Sequence, residues 1–149
     1  MSMRKALFYI SLFLIIILGV DSCKKKYVPP TKKEMLTSTT WKLNKVVAGI
    51  IDITTSVPAC VKDNIFTFVS NGTGTVNEGA IPCTPPAAPT FNWSFQNNET
   101  ELNFSTTLIP GGSSTFTIVT LSQSSLVLAQ QVTIPPSPLP VAATFTFIH

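Results

Sequence analysis

Between Thr90 and Gln96 the sequence reads Thr-Phe-Asn-Trp-Ser-Phe-Gln, with an apolar residue at every second position. That alternation makes one face of an extended chain apolar, a period that belongs to strands and not to helices. The pattern recurs and is broken by Gly, Pro, Asn and Ser, so strands are predicted at 41–48, 64–69, 73–78, 90–96, 100–105, 114–121, 125–132 and 142–148. Trp41, Leu43, Phe66, Phe68, Val76, Phe91, Trp93, Phe95, Leu102, Phe104, Phe116, Ile118, Leu126, Leu128, Phe145 and Phe147 share the apolar parity of their strands. Beyond the N-terminal region the one helical turn expected lies at 33–38. Eight antiparallel strands with one apolar face, and no helix to cover it, close on themselves. The predicted fold class is therefore all-β, an eight-stranded antiparallel up-and-down β-barrel over 40–149. At this strand number side chains fill the interior or leave room for one small ligand.

Connection lengths give the barrel two unlike ends. The second, fourth and sixth connections are short, at Ser70-Asn71-Gly72, Asn97-Asn98-Glu99 and Ser122-Gln123-Ser124. The first, third, fifth and seventh are long, at 49–63, 79–89, 106–112 and 133–141. In a meander successive connections fall at opposite ends, so every long loop is expected at one end. Cys60 and Cys83 lie in two of these long loops.

The N-terminal region reads as an address. Arg4 and Lys5 precede an apolar run from Ala6 to Val20, and Val20-Asp21-Ser22-Cys23 has the form of a lipobox. This predicts a signal peptide at 1–22, cleavage before Cys23, and attachment of acyl chains such as palmitate at Cys23. A transmembrane helix wants about 20 apolar residues, and here the run is shorter and Lys24-Lys25-Lys26 follows the cysteine at once. Several acyl chains make a durable anchor, at about 0.8 kcal/mol per buried methylene. Residues 23–39, rich in lysine and carrying Pro29-Pro30, are predicted to be a flexible basic tether to the membrane. The tether begins at strand one's end of the barrel, so the long-loop end should face away from the bilayer. The expected location is the outer membrane, on its periplasmic face rather than the cell surface.

Charge and cysteine usage agree with that compartment. Five lysines lie between Lys24 and Lys33, whereas Met35 to His149 holds three lysines against five acids. The net positive charge belongs to the tether, which excludes a nucleic-acid partner for the folded part. With Cys23 given to lipid, Cys60 and Cys83 remain as an even pair in an oxidising space, and a disulfide is predicted.

Catalytic chemistry has little to build on. The one histidine is His149, so no Ser-His-Asp arrangement has a base and no histidine metal cluster is expected. Glu99 and Glu101 share parity beside a turn, where solvated hairpin residues explain them better than a carboxylate pair. The expectation is a protein that is not an enzyme, with no cofactor and no metal site.

Thr40-Trp41-Lys42-Leu43, Cys60-Val61-Lys62-Asp63-Asn64, Asn71-Gly72-Thr73, Cys83, Asn92-Trp93-Ser94, Ser125-Leu126-Val127-Leu128 and Phe145-Thr146-Phe147 follow in an order that resembles the lipocalin-like domains of lipoproteins of Gram-negative bacteria. The resemblance covers roughly 35–149 and implies a calyx that takes a small apolar molecule. Trp41, Phe68, Trp93, Phe95, Phe104 and Phe116 then either line a cavity or fill the barrel, and the sequence leaves both open. Ile51, Ile53, Ile81, Leu108, Ile109 and Leu139 make the long loops unusually apolar, as contact loops or as a plug. Pro135 to Pro140 is a proline-stiffened loop. Two functions follow: a module binding a small hydrophobic ligand, or an interaction lipoprotein whose loops dock an envelope protein.

Overall fold

The computed structural model describes residues 26–109, 112–133 and 139–149. The signal segment, Cys23 and the proline-rich stretch up to residue 138 lie outside the described residues. The elements in chain order are helix α1 (Lys32–Thr37), strand β1 (Thr40–Ala48), the short β2 (Ile51–Asp52), a single 3-10 turn (Thr54–Ser56) and helix α2 (Ala59–Asp63). There follow β3 (Ile65–Phe68), β4 (Thr73–Asn77), β5 (Thr90–Gln96), β6 (Glu101–Phe104), β7 (Thr115–Leu121), β8 (Ser125–Thr133) and β9 (Pro140–Ile148). The sheet order is β2-β1-β3-β4-β5-β6-β7-β8-β9, and β1 also pairs with β9. Eight strands thus close an antiparallel barrel, as the alternation predicts, and β2 is an extra flap on β1.

The apolar parity faces inward, and a connected chain of rings forms the core. Phe68 lies 5.4 Å from Phe91 and 5.6 Å from Trp93, both edge-to-face. Phe104 meets Phe116 at 5.6 Å, and Phe116 meets Phe145 at 5.9 Å, in the same geometry. Edge-to-face contact sets the positive ring edge against the negative face of its neighbour, adding to the burial energy. Gly74 is required by this packing, because a Cβ there would strike the Phe91 ring and lie 2.8 Å from the Thr67 carbonyl.

Strict alternation fails at two bulges. On β1, Leu43 pairs with Phe147 and Lys45 with Thr146, so Asn44 is the extra residue. Trp41 and Leu43 point inward before the bulge, Val46 and Ala48 after it. Uninterrupted alternation would drive Lys45 into the core, where a charge is costly. The bulge leaves Lys45 outside, 3.4 Å from Asp52. A second bulge at Val119, between Ile118 and Thr120, turns that valine to solvent.

One of the two helices, α1, forms where the helical turn at 33–38 is expected, but it is docked on the barrel and not part of a free tether. Helix α1 lies inside the stretch predicted to be tether, yet Leu36 is wholly buried. Thr31-x-x-Glu34 builds a capping box: Glu34 N donates to Thr31 Oγ1 (3.2 Å) and Thr31 N donates to Glu34 Oε2 (2.7 Å). The Trp41 indole Nε1 donates to the Leu36 carbonyl at 2.8 Å, and Lys32 Nζ donates to the Glu99 carbonyl at 2.6 Å. Since Glu99 belongs to the β5–β6 turn, α1 closes the tight-turn end of the barrel. Helix α2 was not expected; its five residues are too few for a periodic signal. It is held instead by tertiary contacts, and so is β2, reached through a two-residue turn with Gly49 at φ 62°.

Candidate functional site

The long-loop end is built from four connections, and three of them are pinned. Cys60, on α2, forms a disulfide with Cys83 of the β4–β5 loop, with the Cα atoms 5.1 Å apart. This is the pairing that cysteine counting predicts. Two carboxylates then hold the β4–β5 loop by its backbone. Asp63 Oδ2 accepts from Ile81 N at 2.7 Å, while Glu78 Oε1 accepts from Ala87 N at 2.7 Å and Cys83 N at 3.3 Å. Across the mouth, Ser113 N and its hydroxyl donate to Gln130 Oε1 at 2.8 and 3.2 Å, which ties the β6–β7 loop to β8.

Beneath these loops the barrel is not filled. One cavity of about 200 Å³ runs from Trp41, Phe68, Phe104 and Phe116 up to Val61, Cys83 and Ala87. A second, of about 310 Å³, lies under the β1–β3 connection between Ile53, Val57, Val132 and Phe145. Leu43, Val61, Leu108 and Ile109 line both, so the two are adjoining lobes of the barrel interior. No lining residue of either lobe carries a charge.

The aromatic residues expected at a ligand wall divide into two groups. Trp41, Phe68, Phe104 and Phe116 reach the first lobe. Trp93 is buried elsewhere, its Nε1 donating to the Thr73 carbonyl at 2.9 Å, and half-buried Phe95 packs against it at 5.5 Å. The apolar loop residues divide as well. Leu108 and Ile109 line both lobes and Ile53 the second, whereas Ile51, Ile81 and Leu139 are exposed on the rim, as is Ile50. Cys23 lies outside the described residues.

Two polar side chains of the interior escaped the sequence reading. Asn64 and Gln130 are both buried, and Asn64 Oδ1 and Gln130 Nε2 lack hydrogen-bond partners among the described residues. Asn64 lines the first lobe. The signal for both was parity, since Asn64 alternates with Phe66 and Phe68, and Gln130 with Leu128 and Val132.

Glu99 is exposed in its turn and Glu101 half-buried on β6, on opposite sides of Thr100. Among the described residues, no cluster of three or more His, Cys, Asp or Glu is placed to hold a metal ion. No described helix is long and apolar enough to cross a membrane.

Residues 38–128 match the family model of the lipocalin-like domain. That span runs from the end of α1 into β8 and takes in most of the cavity wall. A comparison with curated proteins finds no match.

Proposed function

The chain belongs to the lipocalin-like domain family, and from that premise we propose that it is a non-enzymatic binding protein whose barrel holds a small hydrophobic ligand at the long-loop end. The observation that carries this reading is the two-lobed, uncharged space beneath the loops. Close packing is the rule for interiors, and ligand sites start at about 300 Å³. The second lobe alone is about 310 Å³. The disulfide and the two loop-holding carboxylates support a mouth that is shaped before the ligand arrives, which lowers the ordering cost of binding.

The anchor belongs to the same proposal. Cleavage after Ser22 and acylation of Cys23 attach the protein to the outer membrane on its periplasmic side. Because α1 begins at Lys32, the free tether is shorter than the sequence suggests. The closed end with α1 then sits near the bilayer and the cavity mouth faces away from it.

Titration with N-phenyl-naphthylamine, a neutral fluorophore that brightens in apolar sites, tests the cavity. Saturable enhancement in the unlipidated chain from residue 23 (Cys23→Ser), abolished by Ala87→Trp at the mouth, is the expected result. Absence of saturable binding rejects it. For the anchor, the intact mass of the membrane-extracted protein should show loss of residues 1–22 and gain of acyl chains, and Cys23→Ser should release it from membranes.

One observation favours a second reading, docking of an envelope protein on the rim. Ile50 is 98% exposed and its neighbour Ile51 64% exposed, side by side where the chain turns from β1 into β2. Cross-linking from residue 50 that captures a partner in cells, without loss of capture in Ala87→Trp, would separate this role from ligand binding.

A further inference from the structure

We infer that the ligand is a neutral apolar molecule bearing a single hydroxyl or amide N–H, which the Asn64 carboxamide receives; this rests on the binding reading above. Asn64 caps the C-terminus of α2 and leads into β3, and it is 4% exposed. The alternation of that strand points Asn64, Phe66 and Phe68 to the same side, and all three line the first lobe. Its Oδ1 has no partner among the described residues. A buried acceptor left unpaired is destabilising, and a donor carried in by a ligand removes that penalty.

Three alternatives fit the site less well. A pure hydrocarbon fills the lobe but leaves Oδ1 unpaired. A carboxylate brings a charge into a wall without a cation, and also repels Oδ1. An ordered water needs about three hydrogen-bonding partners, and of the two lining side chains that carry N–H or C=O groups, Trp41 is already engaged with the Leu36 carbonyl, which leaves Asn64. Gln130 does not compete for the ligand, because it lies off the cavity wall with Oε1 engaged by Ser113.

The test is displacement of bound N-phenyl-naphthylamine by three probes of similar size: octanol, heptyl methyl ether and octanoate. Octanol donates a hydrogen bond, the ether does not, and octanoate is charged. The expected order places octanol about tenfold tighter than the ether, the worth of one hydrogen bond. Octanoate should be the weakest. In Asn64→Leu the alcohol and the ether should bind equally, with the ether retained.

Equal binding of octanol and ether to the unmutated cavity would overturn this inference while leaving the binding function intact. Tightest binding by octanoate would overturn it too. If the fluorophore itself fails to bind, the binding reading falls and this inference falls with it. Should Asn64→Leu not fold, the comparison of alcohol with ether in the unmutated protein decides alone.

Discussion

Replacing Leu36 by alanine asks whether the barrel needs the helix at its closed end. The side chain is 0% exposed, among the largest wholly buried in the described residues. Leu→Ala at such a site costs about 2–5 kcal/mol, the upper values arising where the cavity cannot collapse. Helix α1 has six residues and sits at the end of the barrel, so it can shift inward and recover part of the loss. Shifting it strains the bond from Trp41 Nε1 to the Leu36 carbonyl, a buried pairing worth about 1 kcal/mol. The expected destabilisation is therefore about 3 kcal/mol. With a urea slope of about 1.5 kcal/mol/M for a domain of this size, the midpoint should fall by about 2 M. Lys33→Ala, exposed on the same helix, is the control and should stay within about 0.5 kcal/mol. If Leu36→Ala moves the midpoint no further than Lys33→Ala does, α1 is tether and not a stopper, and the account of the closed end is wrong.

Three further outcomes are expected. Replacing Cys60 and Cys83 by serine opens a loop with a sequence separation of 23 and should cost about 3 kcal/mol in the chain-entropy model, read by urea unfolding with and without reductant; an unchanged midpoint would contradict it. Gly74→Ala should destabilise by about 1–3 kcal/mol, because the new methyl meets the Phe91 ring and the Thr67 carbonyl, neither free to move; an alanine tolerated within a few tenths would disprove the close approach. Asp52 accepts from the hydroxyl of Thr54 at 2.6 Å and from its amide at 2.9 Å, and these bonds, with a smaller contribution from Lys45, hold its carboxyl below the ordinary value. A folded-state pKa below the unfolded one stabilises above the unfolded value, and the stabilisation is lost as pH falls through the folded value. The stability gap between the parent and Asp52→Asn should accordingly close on acidification, and a gap that widens would reverse the assignment.

What the sequence displayed was whatever depends on period and count. Alternation placed the barrel strands within one or two residues of where they lie, because each strand has a polar outside and an apolar inside. Cysteine parity gave the bridge. The parts that stayed hidden are those decided by tertiary contact. Helix α2 has five residues and no amphipathic repeat, and exists because Cys60 and Val61 are held from outside it. The bulge at Asn44 leaves no mark in local propensity; it follows from keeping Lys45 out of the core while Val46 goes in. Helix α1 was half visible. Its capping box can be read in Thr31 and Glu34, but the burial of Leu36 depends on the barrel floor it covers. Whether the aromatics filled the interior was undecidable from pattern, since the same parity serves a packed core and a lined cavity.

The two ends of the barrel divide that answer. At the tight-turn end, the short β3–β4, β5–β6 and β7–β8 connections draw the strands together, and Leu36 and Trp41 fill the floor. At the other end three of the strand pairs part, while β8, β9 and β1 stay paired. Only three residue pairs join β1 to β3, three join β4 to β5, and three join β6 to β7. Each short ladder flanks a long loop, so the loop's apolar residues, not strand residues, complete the wall above. Ile53, Val57, Val61, Leu108 and Ile109 do this, and they are partly buried rather than packed solid. Space left between a rigid floor and a roof of loop residues is where a cavity forms, and the bridge from Cys60 to Cys83 keeps that roof from collapsing into it. On the proposed binding reading, loop chemistry more than the strands sets which molecules the barrel would admit, and substitutions at Leu108 and Ile109, which line both lobes, should alter the size of probe that binds without unfolding the barrel.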